Sequence, residues 1–87
     1  MATLIVNHRV SDYATWKTGF DSDEQRRQSA GIKLISVGQK AGDAGNVYIV
    51  FDIADPSILP GFLGDPELQA KMKELGVVSV PEAIVVE

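Results

Sequence analysis

The chain has 87 residues, of which 45% are hydrophobic and 23% charged, with no cysteine and a formal charge of −4. One domain, 1–87, accounts for that length; it buries only roughly 60–65% of its unfolded surface, and with no cysteine, neither a disulfide nor a cysteine-ligated zinc can brace its thin core. Scattered basic residues, with Arg26–Arg27 the only adjacent pair, argue against a nucleic-acid partner, and no apolar run reaches the roughly 18 residues of a membrane span.

In chain order, residues 3–10, "TLIVNHRV", read as a strand. Alternation puts Leu4, Val6, His8 and Val10 on one face and Thr3, Ile5, Asn7 and Arg9 on the other. Ser11 or Asp12 is expected to cap the next helix by accepting a bond from a free backbone N–H. Tyr13, Trp16 and Phe20 follow at spacings of three and four, which makes one apolar stripe. The continuation "DSDEQRRQSA" is polar and reads as a solvated helix surface with Asp23 and Arg27 paired at (i, i+4), ended by Gly31.

A second strand is expected over 32–40, with Ile32 and Leu34 on one side and Ile35 and Val37 on the other; Gly38 suggests a bulge or a close backbone approach. "AGDAGN", 41–46, reads as the turn of a hairpin. The β-branched and aromatic run "VYIVFDI", 47–53, is the strongest strand signal in the chain. Asp55–Pro56 and Asp65–Pro66 each set a capping carboxylate before a proline suited to the first helical position. They predict a short helical turn near 56–63, interrupted at Pro60–Gly61, and a firmer helix over 66–75 striped by Leu68, Met72 and Leu75. "AIVVE", 83–87, is a final strand.

The order β-α-β-β-α-β predicts an α+β, ferredoxin-like fold: a four-stranded antiparallel sheet with both helical segments on one face. The other face would then carry apolar residues in water, and two such sheets packed face to face would cover them, so a homodimer is expected. The opening "MATLIVNHRV" has no basic region leading into an apolar run, and a cytoplasmic location is the corresponding expectation.

The segments "VNHRV", "DYATWKTGFD", "VYIVFDIAD" and "DPELQAKMKELGV", with "PE" before the last strand, together resemble the dimeric α+β barrel superfamily that includes the antibiotic-biosynthesis monooxygenase-like proteins. The resemblance spans nearly the whole chain and is one of pattern. It implies a central barrel of two sheets with the helices outside, and a ligand cavity between each sheet and its helices. Cofactor-free oxygenases, polyketide cyclases, haem-degrading enzymes and proteins of unknown role share the fold, so it does not choose among them. The haem-degrading members pair a first-strand asparagine with a helical histidine; Asn7 is present, but no helix here carries a histidine. No cofactor is therefore expected, and a lone histidine without partners at ligand spacing implies no metal site.

His8, the only histidine, shares its strand face with the layer reached by Trp16, the only tryptophan. Imidazole serves as acid or base near neutral pH, so His8 is the first catalytic candidate; the plainer alternative is a core histidine bonded to backbone or water. Tyr48 is the second, able to orient a ligand oxygen or to bond a partner chain. Tyr13, Trp16 and Phe20 would wall a pocket or simply pack the core. Asn7, Arg9 and Asp52 are expected to face the dimer partner, with Asp52 the counter-charge for Arg9. The sequence thus points to a small-molecule-binding dimer for an apolar or aromatic ligand. Either it is a cofactor-independent monooxygenase- or cyclase-like enzyme, or it is a non-catalytic ligand-binding, stress-related or accessory dimer. A free-standing amino-acid-binding regulatory domain shares the strand order but would set its sheets side by side.

Overall fold

A computed structural model describes residues 2–87. Four strands, β1 (Ala2–Arg9), β2 (Ile32–Lys40), β3 (Asp43–Ile53) and β4 (Glu82–Val86), form one antiparallel sheet in the order β2-β3-β1-β4. Between β1 and β2 lie helices α1 (Tyr13–Ser22) and α2 (Glu24–Ser29). Between β3 and β4 lie a 3-10 turn, Pro56–Ile58, and helices α3 (Leu59–Leu63) and α4 (Pro66–Glu74). This is the expected ferredoxin-like fold. Among the described residues no helix is long and apolar enough to cross a membrane.

Strand parity decides what is buried. Ala2, Leu4, Val6 and His8 of β1 and Val47, Ile49, Phe51 and Ile53 of β3 are all buried, and their register sets Leu4 opposite Phe51, Val6 opposite Ile49 and His8 opposite Val47. Trp16, Phe20 and Leu59 come down on that face from the helices. On the reverse face Ile5 lies between Val50 and Ile84, and Asn7 lies opposite Tyr48. No helix covers that side, and Tyr48, Ile84 and Val86 are exposed.

Several local expectations are corrected. The predicted single helix breaks at Asp23, whose backbone (φ −98, ψ 10) ends α1 and precedes α2. Asp23 pairs with Arg26, at 3.2 Å, and not with Arg27, which turns inward and is buried. Asp12 does hold the N-cap position of α1, but its carboxylate accepts from the Thr15 hydroxyl and bonds no backbone N–H. In β2 the register slips between Leu34 and Ser36, leaving Ile35 as an extra residue. A bulge of one residue reverses the parity beyond it, so Val37 lies opposite Ile49 and packs on the core face instead of the open one. Gly38 keeps regular register opposite Tyr48 and is not the bulge. The hairpin loop shrinks to Ala41–Gly42, because β3 already begins at Asp43. Gly42 takes a positive φ of 78°, a backbone that costs glycine little.

The two Asp-Pro signals do act as caps. Asp55 accepts from the Ser57 N–H at 3.0 Å and Asp65 from the Glu67 N–H at 2.9 Å, each with proline in the first turn.

Candidate functional site

The helical layer does not seal onto the sheet. A cavity of about 90 Å³, counted as the space open to the centre of a water molecule, lies between them. Its floor is Leu4, Val6 and His8 of β1 with Ile49 and Phe51 of β3. Trp16 and Phe20 of α1 and Arg27 of α2 make one wall. Phe62 and Leu63 of α3, and Leu68, Lys71, Met72 and Leu75 of α4, make the other wall and the roof. The volume is several times what one water needs, and the lining is overwhelmingly apolar, the usual character of an organic-ligand pocket.

One wall is a column of stacked groups. The His8 ring meets Trp16 edge-on, centroids 5.3 Å apart at 75°; Trp16 stacks on Phe20 at 4.8 Å and 26°; the Arg27 guanidinium sits 3.8 Å above the Phe20 ring. Such contacts add about 0.5–1.5 kcal/mol per aromatic pair beyond area burial, and more for a desolvated cation over a ring. Spacing accounts for part of the column: Trp16 and Phe20 are four apart on α1, and Arg27 joins them from α2, beyond the break at Asp23.

The column ends in two polar groups that the fold leaves unsatisfied. His8 is 4% exposed and its Nδ1 has no hydrogen-bond partner; Arg27 is 6% exposed and its Nε has none. Burial pulls the His8 pKa down, its own backbone opposing weakly, so at neutral pH the imidazole is uncharged and able to accept a proton. Burial also lowers the Arg27 pKa, against the pull of Asp23, Glu24 and Asp21; a guanidinium remains charged regardless. Buried polar atoms without partners cost about 1–3 kcal/mol each, and in a native fold they call for an explanation.

Of the residues singled out from sequence, the structure brings His8, Trp16 and Phe20 together on the cavity. Tyr13 packs against Trp16 at 5.8 Å and does not line it. Tyr48 lies on the opposite face of the sheet, 43% exposed, so His8 and Tyr48 do not form one site. Asn7 donates to Asn46 Oδ1 at 2.6 Å and to the Val47 carbonyl at 2.9 Å, and Arg9 pairs with Asp43 at 2.8 Å. The counter-charge of Arg9 is therefore Asp43, while Asp52 lies further along β3 opposite Thr3 and Lys33. Sequence reasoning missed Arg27 and Lys71. The seven-residue return from Phe20 was the available signal for Arg27, masked by the usual preference of arginine for solvent. Among the described residues no group of three or more His, Cys, Asp or Glu side chains is placed to hold a metal ion.

No protein-family model and no curated protein matches the chain. Solved structures do match its fold. An antibiotic biosynthesis monooxygenase superposes with a TM-score of 0.72 at 11% identity, covering 100% of this chain and 97% of the other. SnoaB, a cofactor-independent oxygenase from Streptomyces nogalater, gives 0.63 at 15% identity over 99% and 90%. An uncharacterized NIPSNAP domain protein from Burkholderia xenovorans gives 0.67 at 12% identity over 100% and 93%. At these identities the fold is what is shared: the chain has the α+β architecture of the antibiotic-biosynthesis-monooxygenase domain.

Proposed function

We propose that the protein binds a small apolar or aromatic molecule in the cavity between sheet and helices, and that it does so as a homodimer. The observation that carries the reading is the apolar cavity that touches both His8 and Trp16. Had side chains filled that layer, His8 would be an ordinary core residue. The dimer reading rests on the uncovered sheet face, where Ile35, Tyr48, Ile84 and Val86 are exposed; a second copy of that face would bury them. Any chemistry is proton transfer by neutral His8 to or from a bound ligand, of the kind a cofactor-independent oxygenase or cyclase step requires.

A second reading is non-catalytic ligand binding by the same dimer. It is favoured by the position of Tyr48, which leaves His8 without a phenol beside it in the cavity.

Thermal unfolding in the presence of flat aromatics, with haem as a separate arm, tests the shared premise, because a ligand that prefers the folded state raises Tm. A Tm unmoved by every aromatic at millimolar concentration would count against the pocket. With a turned-over aromatic substrate in hand, undiminished turnover by His8→Ala removes the enzymatic reading and leaves the binding one. Sedimentation of the parent and of Ile84→Glu tests the dimer: a monomeric parent, or a variant that dimerises as well as the parent, would refute face-to-face sheets.

A further inference from the structure

His8 and Trp16, the only histidine and the only tryptophan of the chain, meet edge-on in the lining of the cavity. The imidazole is 4% exposed, its Nδ1 is unbonded, and no carboxylate among the described residues comes within ion-pair distance of it. The elements packed around the ring supply no counter-ion. Val47, opposite on β3, is apolar; α1 brings Trp16 and, packed against it, the Tyr13 phenol. On the neighbouring β4, Glu82 stands opposite Asn7, on the parity of the open face. From α3 the lining takes only Phe62 and Leu63. Of the other charged residues on the lining, Asp23 is bonded by Arg26, and Arg27 and Lys71 are cations. A proton on His8 would add charge where nothing pairs with it.

An apolar cavity stays dry or holds an apolar guest, whereas an imidazolium in its floor needs water. The two occupants exclude each other, because the water that solvates the charge takes the space the guest would fill. Ligand and proton thus oppose one another without sharing an atom, and each weakens the other by the same factor. Burial already holds the His8 pKa below the ordinary histidine value, and an apolar guest removes the hydration the cavity can still give the ring.

We infer that the cavity is a pH-gated site for uncharged ligands: it retains an apolar guest while His8 is neutral and releases it when His8 takes up a proton. This deepens the pocket reading and rests on it. By linkage, affinity is full above the pKa of the free, folded imidazole. It falls as pH drops through that value, by up to about tenfold per pH unit.

The test uses the intact chain with toluene and naphthalene, probes that carry no titrating group. Affinity is measured by calorimetry from pH 7.5 down to 4.5, with circular dichroism marking the range over which the chain stays folded. Trp16 emission reports His8 protonation independently, since the imidazole centroid lies 5.3 Å from that of the indole and a charge there alters its fluorescence. Affinity is expected to be at least about threefold weaker at the acid end of the folded range than at pH 7.5, with its midpoint where Trp16 emission titrates. In His8→Leu both the affinity and the emission are expected to be flat with pH. The wild-type profile decides even if His8→Leu does not fold. Probes that bind equally well across the folded range would overturn the gate and leave the pocket reading standing. If neither probe binds at pH 7.5 up to its solubility limit, both fall. A decline that persists in folded His8→Leu would also overturn the gate, since another group would then be taking the proton.

Discussion

The two helical arms lie on the same face of the same sheet and are used differently. The α1–α2 arm sends Trp16, Phe20 and Arg27 into full burial, where they stack on one another and, through His8 and Phe51, on the sheet. The α3–α4 arm buries only Leu59; α4 has no buried residue, although Leu68, Met72 and Leu75 carry an apolar stripe of the expected spacing. Leu68 and Met72 of that stripe line the cavity beneath α4, while Leu75, the C-cap residue, packs against the core at Gly19. One arm is a packed wall and the other a roof. Apolar periodicity alone does not distinguish packing from lining; the difference lies in whether atoms occupy the far side of the contact.

The contrast is broken most directly by truncation. Trp16→Ala should cost about 3–5 kcal/mol of stability in urea titration, the usual penalty for emptying a packed aromatic site, whereas Leu68→Ala in the roof should cost within about 1 kcal/mol. Equal losses would mean that the roof is as tightly packed as the wall.

Next in size is the effect of pH. Burial lowers the His8 pKa from the ordinary histidine value of 6.5, so below about that pH the unfolded chain takes up a proton that the folded chain refuses. Stability should therefore be full above pH 7, decline as pH falls through 6.5 and level off once the folded imidazole also protonates. His8→Leu should flatten this decline in Tm between pH 7.5 and 5, and should gain about 1 kcal/mol at pH 7 by removing an unpaired polar atom. An unchanged pH profile would show that His8 is not the group refusing the proton.

Gly19 is where wall and roof meet. A Cβ there would overlap the Leu75 side chain, so Leu75 must swing aside, and the cavity is the space available to it. Alanine also gains about 1 kcal/mol of helix propensity, which offsets part of the strain. Gly19→Ala should thus leave stability within about 1 kcal/mol of the parent while weakening ligand binding several-fold. A large loss of stability would instead show Leu75 to be fixed in place.

The smallest effect concerns the polar link between the arms. Arg26 bonds Asp23 and reaches Asp65 at 3.8 Å and Glu67 at 3.5 Å, tying α2 to the start of α4 across solvent-exposed pairs. Arg26→Ala should change global stability by less than about 1 kcal/mol, yet speed amide exchange in α4 more than in α1. Equal acceleration in both helices would count against α4 being the looser element.

Element order, strand faces on β1 and β3, and the two Asp-Pro caps were legible in the sequence because each depends on a local pattern. Val47, Ile49, Phe51 and Ile53 can share a buried face only by period-two alternation, and a proline after a capping carboxylate has few other conformations. The second strand was misread beyond Leu34, because a bulge leaves no local signature and flips every later residue. On the site, His8, Trp16 and Phe20 could be placed in one layer by parity and spacing. Tyr48 could equally be assigned to the opposite face, and it is found there. Arg27 lay on the extended stripe of Trp16 and Phe20, but composition argued for solvent and outweighed periodicity.

By itself, then, the sequence determined the β-α-β-β-α-β order, which side of β1 and β3 meets the helices, and where α4 begins; α3 runs through Pro60–Gly61, where an interruption was expected. The order, the strand faces and the start of α4 are settled by backbone sterics and by alternation, and both act over a few residues. Only the tertiary structure decided that Arg27 is buried, that its Nε and His8 Nδ1 lack partners, and that α4 roofs a space instead of filling one. These depend on the distance between elements far apart in the chain, and no local pattern encodes how closely two packed surfaces meet.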